Sequence, residues 1–285
     1  MHLPISVTQD ELLEVLLQVA PVRPVFIWGA PGIGKSALVE KFADEVGLPC
    51  VSLLGSQLAP EDIIGIPQIR GETSEFLPPK MIARKEPYVL FLDELNAAPP
   101  LVQAACYQLI LDRAIGEYRL PDGWSIVAAG NREKDKAVSY RMPSALANRL
   151  VHLECDAHLD DWLSWAQGAG IRAEVCAFLR FRPRLLHDFD PLKAEKAFAS
   201  PRSWEFVSRI LDARPHADVE YELFQGTVGS AGAAEFMGFL SVWRELPTVD
   251  EVLSAPASAM VPLEPAALYA MCEALSLRAS AETIE

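Results

Sequence analysis

Residues 29–36 read Gly-Ala-Pro-Gly-Ile-Gly-Lys-Ser, and no other stretch constrains the fold as strongly. Gly29 is followed after four residues by Gly34, Lys35 and Ser36, which fills every fixed position of a phosphate-binding loop. The chemistry explains the residue types. Gly29, Gly32 and Gly34 let the backbone turn sharply and present N–H groups to a polyphosphate at the positive end of a helix. Ala30, Pro31 and Ile33 complete the cradle, Lys35 reaches the β- and γ-phosphates, and the Ser36 hydroxyl ligates Mg²⁺.

The flanks supply the context such a loop requires. Residues 24–28 are a short apolar run of strand character, and beyond the loop Leu38, Phe42 and Val46 recur at helical spacing before Gly47 stops the helix. Strand, glycine loop and helix in that order predict an α/β nucleotide-binding core. The opening helix ahead of it starts from a capping box, Thr8 to Glu11, with Leu12, Val15, Leu16 and Val19 on one face.

Composition bounds the partners. At 285 residues the chain has room for about two domains. Its formal net charge of −14 argues against a duplex-binding surface, because nucleic-acid affinity rests on Lys and Arg neutralising phosphates. There is no apolar run of about 18 residues and no basic region followed by an apolar core at the N-terminus, so the reading is a cytoplasmic chain with no membrane span. Cys50, Cys106, Cys155, Cys176 and Cys272 are scattered without a C-x-x-C pair and read as reduced, mostly buried residues.

Further along, residues 88–92 form a continuous apolar run that ends in Asp93-Glu94. Two carboxylates at the carboxyl end of a buried strand sit where ligands gather in a parallel sheet. Asp93 then holds Mg²⁺, and Glu94 polarises the water that attacks a γ-phosphate. Residues 55–87 before this strand are irregular and rich in turn formers, which marks an insertion with small elements of its own. Pro99 and Pro100 open a helix, residues 113–123 read as a hairpin, and residues 124–129 make another strand that ends at Gly130-Asn131. The Asn131 amide either orients the attacking water or merely makes a turn.

The stretches GAPGIGKS, VLFLDELN, VAAGN and MPSALANRL, in this order, resemble the AAA+ ATPases and in particular the MoxR family, with its AAA_5-type ATPase domain, over about residues 1–212. The resemblance implies a P-loop NTPase α/β/α parallel sheet over residues 1–155 and a helical lid with a C-terminal helical extension over 156–285. It makes Asn131 the sensor 1 residue and Arg149 an arginine finger supplied to the ATP of a neighbouring subunit; the bland alternative for Arg149 is a cap on a helix C-terminus. Ser200 and Pro201 start a helix that places Arg202 in its first turn, where a cation opposes the helix dipole. In the family that arginine is sensor 2, which reads the γ-phosphate.

The helical remainder carries Trp162 and Trp165 three apart, a spacing that predicts core packing for both. Phe236, Phe239, Leu240 and Trp243 form a stripe, Thr248 to Glu251 is a second capping box, and Leu268, Cys272 and Leu275 align on a final amphipathic helix. The expectation from the whole chain is a Mg²⁺-dependent ATPase that works as a homo-oligomeric ring, a hexamer. By resemblance it remodels or matures a protein client with a von Willebrand factor A domain partner. Two other readings are a DNA-acting AAA+ motor or loader and a nucleotide-gated assembly module with little hydrolysis.

Overall fold

The apolar runs become adjacent parallel strands because each is buried on both faces and has no solvent side to alternate toward. In the computed structural model, residues 6–116, 118–135, 140–193, 195–247, 249–256, 258–259, 261–262 and 265–278 are described. The chain divides into two compact units, Met1–Asp156 and Ala157–Glu285.

The first unit is an α/β fold. Its parallel sheet comprises β1 (Ser6–Val7), β2 (Val25–Trp28), β3 (Cys50–Leu54), β6 (Val89–Asp93), β9 (Ser125–Gly130) and β10 (Val151–Cys155), in the spatial order β1-β10-β2-β9-β6-β3. Helices α1 (Gln9–Val19) and α2 (Lys35–Glu45) pack on one face of the sheet. Leu90, Leu92, Ile126 and Ala128 point to the other face, into a core shared with Val102, Cys106 and Leu109 of α4 (Pro100–Asp112). The alternation along each strand feeds both layers, which is the α/β/α arrangement expected of a P-loop NTPase. The Thr8 capping box is formed, with Glu11 N–H bonded to Thr8 and the Glu11 carboxylate returning to the Thr8 N–H.

The irregular stretch 55–87 carries small elements of its own: α3 (Glu61–Ile64) and a hairpin of β4 (Ile66–Arg70) with β5 (Thr73–Leu77). Both hairpin faces meet solvent, so the sequence lacks the alternation that marks a half-buried strand. A second hairpin, β7 (Ala114–Ile115) with β8 (Tyr118–Arg119), follows α4, and α5 (Ser144–Ala147) leads into β10.

The second unit is helical: α6 (Leu159–Ala169), α7 (Ala173–Phe181), α8 (Pro201–Asp212), α9 (Ala217–Glu245), α10 (Val249–Ser254) and α11 (Pro265–Arg278). Its core gathers Trp162, Phe178, Trp204, Phe224, Phe236 and Leu240. Three details differ from the sequence reading. Trp165 is 43% exposed while Trp162 is buried, because the apolar face of α6 turns through Trp162, Leu163 and Ala166. Among the described side chains of α11, Ala267 and Met271 are buried while Leu268 and Cys272 are exposed, one position round from those two. The two segments flanking residues 226–229 join as α9, kinked at Gly229, where φ is 82°. The capping box at Thr248 lies outside the described residues. Of the cysteines, Cys106 and Cys155 are buried, Cys50 and Cys176 are half-buried, and Cys272 is exposed. No described helix is long and apolar enough to cross a membrane.

Candidate functional site

Parallel strands bring all their carboxyl ends to one edge of the sheet. In register, Trp28 of β2 stands beside Gly130 of β9 and Glu154 of β10, while Leu54 of β3 stands beside Asp93 of β6. The phosphate loop, the two acids and Asn131 therefore converge there.

The loop takes the conformation its glycines permit. Gly32 and Gly34 have φ of 78° and 97°, in the left-handed region that side chains disfavour. Gly34 caps α2 without a side-chain hydrogen bond, and the first turn of α2 holds no acid, so its N–H groups face an incoming anion without internal competition. The Gln9 side chain donates to the Ile33 carbonyl and ties the loop to α1.

Lys35 is half-buried at the end of the loop. Its ammonium donates to the Gly29 and Ala30 carbonyls at 2.8 and 3.0 Å and to Asn131 Oδ1 at 3.1 Å. Burial holds its pKa down at about 8, partly offset by the nearby Asp93 and Asp135 carboxylates.

Ser36 Oγ donates to Asp93 Oδ2 at 2.9 Å, and Asp93 Oδ1 accepts the Glu94 N–H at 2.9 Å. A hydroxyl and a carboxylate side by side are hard oxygen donors that suit Mg²⁺. Among the described residues no group of three or more His, Cys, Asp or Glu side chains could hold a metal by itself.

Glu94 has φ of 51°, an uncommon conformation for a residue with a side chain. Its Oε2 accepts a hydrogen bond from Ser56 Oγ, just past β3, at 2.7 Å. Asn96, which is buried, donates through Nδ2 to the Asn131 carbonyl at 2.8 Å. A Cβ on Gly130 would lie 2.1 Å from Asn96 Oδ1, so only glycine fits there. Asn131 is thus held from both sides, by Asn96 through its backbone and by Lys35 through its amide. Its amide is engaged with the phosphate-loop lysine, beyond any turn-forming part.

The arginines are placed differently. Arg149 follows α5 and precedes β10, whose Val151 pairs with Val25, the first residue of β2. Within its own chain it therefore lies at the amino edge of the sheet, about 10 Å along the strand direction from the phosphate loop. Arg149 Nη1 donates to the Ala145 carbonyl, and the guanidinium lies over the Tyr107 ring at 5.7 Å. Its Nε is buried with no partner among the described residues. Arg202 occupies the second position of α8 in the helical unit, exposed, behind a Ser200–Ser203 capping box. Arg141 is exposed as well.

Sequence reading did not single out Gln9, Ser56, Asn96 or His152. His152 Nδ1 accepts from the Trp28 indole N–H at 3.0 Å, and its Nε2 meets the Ala147 carbonyl at 2.8 Å, so α5 is tied to the end of β2. The one signal available for Asn96 is its place two residues after Glu94, in a 3-10 turn with no apolar role.

The family model for an AAA domain of the dynein-related subfamily matches residues 24–150. That match lies within the first unit and spans its sheet from β2 to the residue before β10. No curated protein matches the sequence. Among solved structures, NtrX from Brucella abortus is similar at 16% identity and a TM-score of 0.47, over 96% of this chain and 62% of that one. The RuvB Holliday junction branch migration motor of Thermotoga maritima is similar at 17% identity and a TM-score of 0.46, over 97% of this chain and 83% of that one. A putative ATPase from Cytophaga hutchinsonii is similar at 17% identity and a TM-score of 0.40, over 89% and 66%. This chain spans about three fifths of the NtrX chain, at 62%.

Proposed function

We propose, from the premise that residues 24–150 form an AAA domain, that this protein binds and hydrolyses Mg²⁺-ATP in a ring of identical subunits and uses the turnover to remodel a protein client, as MoxR-type ATPases do. The observation that carries the reading is the convergence of Lys35, Ser36, Asp93, Glu94 and Asn131 at one sheet edge. In this reading the loop N–H groups and Lys35 hold the β- and γ-phosphates. Ser36 and Asp93 hold Mg²⁺, which when bound offsets phosphate charge. Glu94 takes the proton of the attacking water while Asn131 orients that water, and the bond from the γ-phosphorus to the β-phosphate oxygen breaks to leave ADP.

Arg149 completes the site in trans. Its distance from its own phosphate loop favours use on a neighbouring copy. Arg202 is the proposed sensor 2 residue. The ring is a hexamer, and a von Willebrand factor A domain protein is the partner that selects the client. A net charge of −14 counts against the DNA-motor alternative.

Phosphate release and ATP binding by the Glu94→Gln variant test the reading. The proposal expects ATP to stay bound and turnover to stop. Unchanged steady-state turnover would remove Glu94 from the chemistry.

A further inference from the structure

Arg132 follows Asn131 directly, and its side chain has no part in the site described above. Its guanidinium is nevertheless the most heavily bonded group at the sheet edge. Nε donates to Asp135 Oδ2 at 3.0 Å and Nη2 to Asp135 Oδ1 at 3.3 Å, while Nη1 donates to Glu154 Oε1 at 2.9 Å and to Asp156 Oδ1 at 2.7 Å. Its own N–H also bonds to Asp135 Oδ2, at 3.2 Å. Asp156 is anchored in turn by Ser6 Oγ at 2.8 Å, and Lys134 adds a second cation on Glu154 at 3.2 Å.

The sheet order gives this cluster its meaning. Arg132 lies just past the end of β9 and Glu154 is the penultimate residue of β10, but these strands are not neighbours: β2 lies between them, and the phosphate loop springs from its end. The guanidinium therefore straps the two strands that flank the loop strand. The Arg132, Asp135 and Glu154 side chains are 14%, 6% and 13% exposed, so these pairs are shielded from water and salt, whereas Asp156, at 48%, is the solvent-facing member of the strap. Burial by itself would disfavour the Arg132 charge, and the bonds to Asp135, Glu154 and Asp156 outweigh it. An ion cluster of this kind is a poor device for stability alone, since apolar residues can fill the same volume without the desolvation cost. It does fix geometry.

We infer that Arg132 is a positioning residue for the nucleotide site: by strapping β9 to β10 across the end of β2, it holds Asn131 at the spacing from Lys35 and the phosphate loop that turnover requires. This inference rests on the ATPase reading above. Arg132 itself touches no reacting atom. Its loss lets the β9 end and Asn131 shift, and misplacement of about 1 Å can lower a rate by up to about 100-fold.

The test is a double-mutant cycle on the full chain, with kcat, KM and ATP affinity measured for Arg132→Ala, Asn131→Ala and the double variant. Positioning predicts that Arg132→Ala lowers kcat toward the Asn131→Ala level, leaves ATP affinity within about threefold, and adds little to Asn131→Ala in the double variant. The milder Glu154→Gln and Asp156→Asn variants reproduce a smaller kcat loss and keep the measurement open should Arg132→Ala fold poorly. Equal losses in affinity and kcat, or additive losses in the double variant, overturn the inference in favour of a general structural role. Wild-type binding of ATP without hydrolysis overturns the ATPase reading and this inference with it; wild-type turnover that Arg132→Ala leaves intact overturns the positioning role alone.

Discussion

Ser56 Oγ and Glu94 Oε2 lie 2.7 Å apart, so the carboxylate read as the general base is held by a hydroxyl from the neighbouring strand end. To take a proton from water, Glu94 must give up or share that bond. Removing the donor with Ser56→Ala frees the carboxylate at a gain of about 1 kcal/mol, since Ser56 is exposed and the bond is partly screened. Single-turnover hydrolysis is expected to rise by about fivefold. A fall in rate would instead make Ser56 part of the productive geometry.

Lys35 gives the site a pH signature. Its depressed pKa of about 8 belongs to the nucleotide-free chain, and a bound polyphosphate favours the charged ammonium and raises it. Binding therefore takes up a proton above pH 8, and ATP affinity falls as pH rises through that value, by up to about tenfold per unit. The stability sign follows the same group. The fold favours the neutral amine, so stability lost at low pH is regained between about 8 and the ordinary 10.5. Titration calorimetry at several pH values, with Lys35→Arg as the variant that stays charged, checks the binding slope. Denaturant unfolding of wild type against Lys35→Met checks the stability slope.

Gly130 is the tightest backbone position at the site, because an added methyl would meet Asn96 Oδ1 at 2.1 Å and Phe26 Cζ at 2.9 Å. Gly130→Ala must expel Asn96 from its bond to the Asn131 carbonyl and is expected to cost about 2 kcal/mol, within the usual range for overpacking. Asn96→Ala removes the larger obstacle, so the double variant should unfold at a higher denaturant concentration than additivity predicts. Chemical denaturation of the four proteins measures this directly.

How much of this was readable in the sequence depends on whether a residue's partner lies near it in the chain. The strands Val25–Trp28, Val89–Asp93 and Ser125–Gly130 were legible as unbroken apolar runs, because burial on both faces removes polar positions. Lys35, Ser36, Asp93, Glu94 and Asn131 were legible because each stands at the end of such a run. The hairpin of β4 and β5 was not, since Ile66, Ile69 and Phe76 face solvent and no core imposes a period. Trp165 and Leu268 show the same limit on helices: an apolar residue at the right spacing can still sit just outside the buried stripe. Ser56, Asn96 and Arg132 carry little local signal. Ser56 and Asn96 have partners 38 and 35 residues away, and Arg132, besides the nearby Asp135, reaches Asp156 24 residues on, so the sheet order is what brings these contacts together.

Mixing two inactive variants shows whether the site hydrolyses ATP with a residue supplied by a neighbouring subunit. Glu94→Gln keeps Arg149 but loses its base, whereas Arg149→Ala keeps its base but lacks the finger. Each alone is expected to release almost no phosphate while still binding ATP. In an equal mixture about one interface in four pairs an intact Glu94 with an intact Arg149, so phosphate release should recover to about a quarter of the wild-type rate. A mixture as inactive as its components, with mixed rings verified by mass, would contradict the account.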